Sequence, residues 1–195
     1  MTKLAILGST KGTDMQAIID AIEAGRLDAK IEIVISNKPD AYILQRAKDH
    51  NITTAYVNMK DEKGVKKPRE EFDKEIINIL QKKQVDLVLL IGYMRIITKS
   101  FVDAFPNKIM NVHPSLLPKF AGGMDTNVHE EVLKAGETET GCTIHYVDET
   151  VDGGPIVIQK KCAIEPDETA DTLKTKVQKL EGEAFIEAIR NYKTP

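Results

Sequence analysis

The chain has no tryptophan and only a small share of other aromatics, so its core has to be built mainly from Ile, Leu and Val. It has two cysteines, Cys142 and Cys162, both in strand-like runs and without the spacing of a thiolate metal site. They are expected to be buried free thiols of a reducing, cytoplasmic compartment. A basic excess is also lacking. Lys and Arg total 27 against 30 Asp and Glu, giving a net charge of −3 with both signs interspersed. That argues against a general nucleic-acid binder and leaves room only for a local patch that takes a small anion. No apolar run approaches the ~20 residues of a membrane helix, so no membrane association is expected. The N-terminal "MTKLAILGST" reads as a first strand rather than a signal peptide. There are no internal repeats and no low-complexity linker, and 195 residues fit one domain.

What is present is an alternation of two periods. "KLAILGS" (3–9) predicts a strand, and "DMQAIIDAIEAG" (14–25) a helix stopped by Gly25. A strand over 30–36, a helix over 41–50 and a short strand over 53–58 follow. Residues 68–84 predict an amphipathic helix with Pro68 in its first turn, at N1. "VDLVLLIG" (85–92) is almost wholly apolar, as a central parallel strand covered on both faces should be. Residues 108–113 form the next strand and 126–136 a helix. Strands over 140–148 and 154–164 flank "ETVDGG", and a helix over about 168–192 closes the chain. The pattern predicts an α/β fold. Its sheet is doubly wound and mostly parallel, with an antiparallel C-terminal edge. Ligands in such folds sit beyond the carboxyl ends of the strands. That selects four loops, at 9–14, 92–97, 113–125 and 148–155.

The first loop, "LGSTKGTD", places Gly8 and Gly12 between a strand and a helix, where unpaired backbone N–H groups suit a phosphate. It carries neither the G-x-G-x-x-G fingerprint nor a Walker A lysine. The plainer alternative is a strand–helix turn capped by Thr13 or Asp14. A carboxylate at 14 would repel a phosphate unless it turned away as that cap. The second loop, "GYMRII", offers Met94, Ile96 and Ile97 with exposed backbone, which suits a flat heterocycle. It reads equally as core residues at the start of a helix.

In "NVHPS", Asn111 and His113 are two residues apart on a strand and so share a face. The amide can donate to a developing oxyanion and the imidazole can transfer a proton near neutral pH. Pro114 ends the strand there. Of the other histidines, His50 and His129 are expected at the surface, and His145, in mid-strand, to serve packing. The last loop, "DETVDGGPI", gathers Asp148, Glu149 and Asp152 before a glycine turn. This is either a solvated acidic turn or a source of a carboxylate, Asp152, that favours the imidazolium form of His113. No Ser, Cys or Lys nucleophile is marked, and no His, Asp or Glu spacing suggests a metal.

Together, "NVHPSLLPKF" and "DGGP" with its aspartate 39 residues after the histidine resemble the folate-dependent formyltransferases, over nearly the whole chain. The resemblance implies a Rossmann-like formyltransferase fold occupying 1–195 as a single domain. Its N-terminal half would form the phosphate and ribonucleotide side, and its C-terminal half the folate side and the catalytic trio. Within the family, the length and the "HPSLLPKF" wording are most similar to the branch acting on glycinamide ribonucleotide. The methionyl-tRNA branch carries an extra C-terminal domain and the formyltetrahydrofolate hydrolase an extra N-terminal one.

The resemblance further implies a catalytic trio of Asn111, His113 and Asp152. It implies a ribonucleotide site at Gly12, Thr13, Asp14, Gln178 and Glu181. It implies a folate site at Arg69, Met94, Arg95, Ile96, Ile97 and Asn111, completed by backbone at Val147–Asp152. The co-substrate implied is 10-formyltetrahydrofolate, with no metal, no nucleic acid and a monomer or homodimer. The reaction implied is formyl transfer to the ribonucleotide amine, a step of purine synthesis. Its alternatives are hydrolysis of the formylfolate and a non-catalytic nucleotide-binding module. Two departures stand out. The family's loop usually ends in Ser-Asn where this chain has Thr13-Asp14, and "KFAGGMDTNVHE" differs from the usual segment.

Overall fold

A computed structural model describes residues 1–122 and 128–193. The elements are β1 (Thr2–Leu7), α1 (Thr13–Glu23), β2 (Ala29–Ser36), α2 (Tyr42–Asp49), β3 (Thr54–Tyr56) and α3 (Arg69–Lys83). They continue with β4 (Leu87–Leu90), α4 (Lys99–Ala104), β5 (Ile109–His113), α5 (Val128–Lys134), β6 (Glu139–Tyr146), β7 (Ile156–Ala163) and α6 (Ala170–Asn191). One sheet orders them β3-β2-β1-β4-β5-β6-β7. β1 to β5 run parallel, and β6 and β7 add an antiparallel edge.

Alternation along the central strands builds two cores. Leu4 and Ile6 of β1 and Leu87 and Leu89 of β4 pack with α1, α2, α5 and α6. Ala5 and Leu7, with Val88 and Leu90, pack with Phe72 and Ile76 of α3 and Phe101 of α4. Both sides of β4 are covered, which is why its residues are apolar without a break. The strand order reverses between β1 and β4. Their carboxyl ends, together with that of β5, open the crevice where such sheets hold ligands.

Three local expectations need correction. Pro68 is the N-cap of α3 and not its N1: its ψ of 150° is extended and its carbonyl accepts the first helical bond, from Phe72. Residues 92–98 stay irregular, and the helix that one reading of this segment allowed begins only at Lys99; α4 is six residues long, too short to display a 3.6-residue period. The helix expected over 126–136 is observed over Val128–Lys134, and its first two expected residues lie outside the described residues. So do 123–125 of the loop expected at 113–125. Among the described residues, no helix is long and apolar enough to cross a membrane.

Candidate active site

β5 delivers Asn111 and His113 to the crevice as expected. His113 is buried (3% exposed) and Asn111 half-buried. His113 Nδ1 lies 3.2 Å from Asp152 Oδ2, and its Nε2 lies 2.9 Å from the Phe120 carbonyl. Both neighbours are acceptors. The pocket therefore satisfies an imidazole that carries a proton on each nitrogen. Asp152 sits at φ 54° in the β6–β7 turn, a left-handed conformation that aims its carboxylate back at β5. The Gly122 N–H also donates to Asp152, at 3.0 Å. Burial opposes the charge on Asp152, but the hydrogen bond from His113, the adjacent His145 ring and the Gly122 N–H hold its carboxyl far below the usual carboxylate range.

His145 belongs to this site, and sequence reasoning had assigned it to packing. Antiparallel pairing sets it directly opposite Asn111. Its Nδ1 donates to the Tyr146 carbonyl at 2.9 Å, which leaves Nε2 to accept from Asn111 Nδ2 at 3.2 Å, with Asp152 Oδ1 at 3.6 Å. His145 thus holds the Asn111 amide in one orientation. The expectation for His129 is also corrected. It is buried (6% exposed) with Nδ1 unpartnered, because α5 packs against α6. Burial lowers its pKa, and repulsion from Lys174 and His113 adds to that. His50 is half-buried and paired with Glu23 at 2.7 Å.

The turn between β1 and α1 is built on glycine. Gly12 is at φ 68°, and a Cβ there would fall 2.4 Å from Ile43. Gly12 is also the N-cap of α1, without any side-chain cap. The alternative in which Thr13 or Asp14 caps this helix is therefore excluded: Thr13 is exposed inside the first turn, and Asp14 turns inward to 7% exposure. Asp14 Oδ1 finds no hydrogen-bond partner. The helix dipole favours a carboxylate here by about 0.3–1 kcal/mol, but stripping one of water costs several kcal/mol. Burial wins and pushes Asp14 up to about 7. On α6, Glu181 is equally buried. It is pushed up to about 8 by burial and then by the charge of Asp14, with Lys174 opposing. Gln178, one turn earlier on α6, is half-buried.

Two loops flank the trio on its other side. After β4, Met94 and Ile96 are 42% and 46% exposed, while Ile97 packs on the core of α3 and α4. Arg69 at the start of α3 donates to the Ile96 carbonyl at 2.7 Å, so the structure joins these expected folate residues. The Arg95 side chain turns away, its guanidinium 4.3 Å over the Phe72 ring and its Nη1 3.0 Å from Met59 Sδ. The β6–β7 turn lies against this segment through the Lys99–Glu149 ion pair at 2.6 Å, and it exposes Val151. In that turn Asp148 accepts from the Thr150 N–H and hydroxyl and does not reach His113. The result is a partly apolar mouth edged by backbone polar groups.

The model of the formyl transferase family matches residues 2–189. The chain belongs to the formyl transferase family. Phosphoribosylglycinamide formyltransferase of Haemophilus influenzae is 43% identical over 185 residues, which cover 95% of this chain and 84% of that protein. The human trifunctional purine biosynthetic protein adenosine-3 is 39% identical over 188 residues, 96% of this chain but 18% of that longer protein. Among solved structures, phosphoribosylglycinamide formyltransferase from Coxiella burnetii superposes with a TM-score of 0.89 at 39% identity, covering 97% of this chain and 85% of that one. These likenesses agree with the formyltransferase fold expected from sequence.

Proposed function

We propose that this formyltransferase moves the formyl group of 10-formyltetrahydrofolate to the primary amine of glycinamide ribonucleotide, in purine synthesis. The observation that carries the reading is the trio geometry. A buried imidazole is held between a carboxylate and a carbonyl, beside an oriented amide, at the crevice where a phosphate turn and a partly apolar mouth meet.

The folate supplies the formyl carbon. The amine nitrogen forms a bond to that carbon, and the carbon's bond to N10 breaks. Asn111 donates a hydrogen bond to the formyl oxygen as it gains negative charge, a contribution that elsewhere amounts to ~10²–10³ in rate. His113 exchanges its bond to Phe120 for one to the same oxygen, stabilising it or lending it a proton. Asp152 accepts from the His113 Nδ1–H and holds the ring in place. A water held by Asp152 relays the proton the amine loses toward N10, so no net proton is consumed. Backbone at Gly12, Thr13 and Asp14 holds the phosphate, and Gln178 and Glu181 reach the rest of the ribonucleotide. Arg69, Met94, Ile96, Ile97, the backbone of Arg95, Asn111 and Val147–Asp152 hold the folate.

We read residues 1–195 as one domain bearing both sites, in a cytoplasmic protein, monomeric or homodimeric. The two free thiols, Cys142 buried and Cys162 half-buried, suit a reducing setting. Incubation with both substrates, followed by mass spectrometry of the ribonucleotide, tests the proposal. A gain of one formyl group on the amine is expected, and an unmodified amine would refute it.

A further inference from the structure

Asp14 of α1 and Glu181 of α6 come from opposite ends of the chain, and both are buried where α1 packs on α6. Gly182 of α6 approaches so closely that a Cβ there would lie 2.7 Å from the Ala17 side chain. Each acid is 7% exposed, and Asp14 Oδ1 has no partner. The surroundings offer them little compensation. Lys174 of α6 is the cation that acts on Glu181. From β6, the buried Cys142 thiol is pushed up to about 12 by burial and then by the charge of Glu181, so it stays neutral. Lys160 of β7 acts on Cys142 but is committed to Glu187 at 2.8 Å. Arg46 of α2 spends its guanidinium on the Lys11 carbonyl and on Gln16. His129 of α5, lowered by burial, adds no cation. Two buried carboxyl groups with so little counter-charge cannot both ionise near neutrality.

We propose that Asp14 and Glu181 share one proton, and that this proton sets the affinity of the Gly12–Asp14 turn for a phosphate monoester. The proposal rests on the reading of that turn as the phosphate cradle. Asp14 is the second residue of α1, so its carboxyl lies beside the backbone N–H groups of the first turn. With the proton present, the pair carries one negative charge and the cradle keeps its positive potential. When the proton leaves, a second buried negative charge appears beside the bound dianion. Phosphate binding and protonation of the pair therefore favour each other.

The test is the binding of ribose 5-phosphate by titration calorimetry between pH 7.0 and 9.0. The ester stays dianionic over this range, its second pKa being near 6, and it has no amine to titrate. The affinity of the unaltered protein is expected to fall as pH rises, with log Kd approaching a slope of one. At pH 8 binding should take up protons, read from buffers of different ionisation heat. Asp14→Asn keeps the shape of the side chain and should flatten the profile and abolish the uptake. Glu181→Gln should do the same even if its affinity differs throughout, because the slope is the readout. Binding with a flat profile in the unaltered protein, or an unchanged slope in both variants, would overturn the proton linkage and leave the cradle standing. No binding even at pH 7.0 would overturn the cradle and the linkage with it.

Discussion

His113 and Asp152 meet through Nδ1 and Oδ2 at 3.2 Å, across the gap between the end of β5 and the β6–β7 turn. The contact needs the positive φ of Asp152 and is strengthened by the Gly122 N–H on the same carboxylate. Replacing Asp152 by Asn keeps the shape and removes the charge. Turnover is expected to fall at least ~100-fold, the lower range for losing acid–base assistance, while folate affinity measured by fluorescence titration stays within a few fold. Near-unaltered turnover would show that the charge on Asp152 is dispensable.

His145 is a positioning residue. It accepts from Asn111 and does not itself face the formyl carbon in the proposed arrangement. Substitution by Phe should preserve packing and release the Asn111 amide. Losing one such hydrogen bond, about 0.5–1.5 kcal/mol, predicts a drop in kcat of up to about tenfold with both KM values unchanged. A rise in KM alone would mean that His145 serves binding instead.

The turn that carries Asp152 tolerates no side chain at Gly154. A Cβ there would sit 1.9 Å from the Tyr146 carbonyl, which is backbone and cannot step aside. Gly154→Ala should therefore destabilise the protein by more than about 3 kcal/mol in urea unfolding. Gly25, at φ 67° with open space around its missing Cβ, provides the contrast. Its change to Ala should cost only about 1 kcal/mol, for the left-handed backbone alone.

The buried acids predict an alkaline weakness. Asp14 and Glu181 hold protons more tightly folded than unfolded. Their protonated forms stabilise the fold fully below about 4, the unfolded carboxylate range. That contribution is lost as pH rises through about 7 and about 8. Asp14→Asn should thus raise Tm relative to the unaltered chain at pH 8.5, with a smaller difference at pH 5.5. Asp152 behaves oppositely. Its depressed carboxyl contributes stability that is lost as pH falls below the usual carboxylate range. Equal Tm differences for Asp14→Asn at both pH values would count against burial as the cause.

Much of this was legible in the sequence, because the unbroken apolar run of β4 marks a central strand covered on both faces. The i, i+2 spacing of Asn111 and His113 was enough to put them side by side. The role of His145 was hidden, since it depends on the antiparallel register that sets it opposite Asn111, and no local pattern encodes register between distant strands. Asp14 misled for the same reason. In sequence it is an acid at a helix start, a common cap, and only the packing of α1 on α6 sets it against Glu181. The six residues of α4 span under two turns, too few for a period to appear.

The central claim is transfer to an amine by the His113–Asp152 site. Its most direct test is the rate of tetrahydrofolate release from 10-formyltetrahydrofolate, followed by absorbance with and without glycinamide ribonucleotide. Release should depend on the ribonucleotide and be nearly abolished in His113→Ala. Release at the same rate without the ribonucleotide would contradict the account and make the chain a hydrolase.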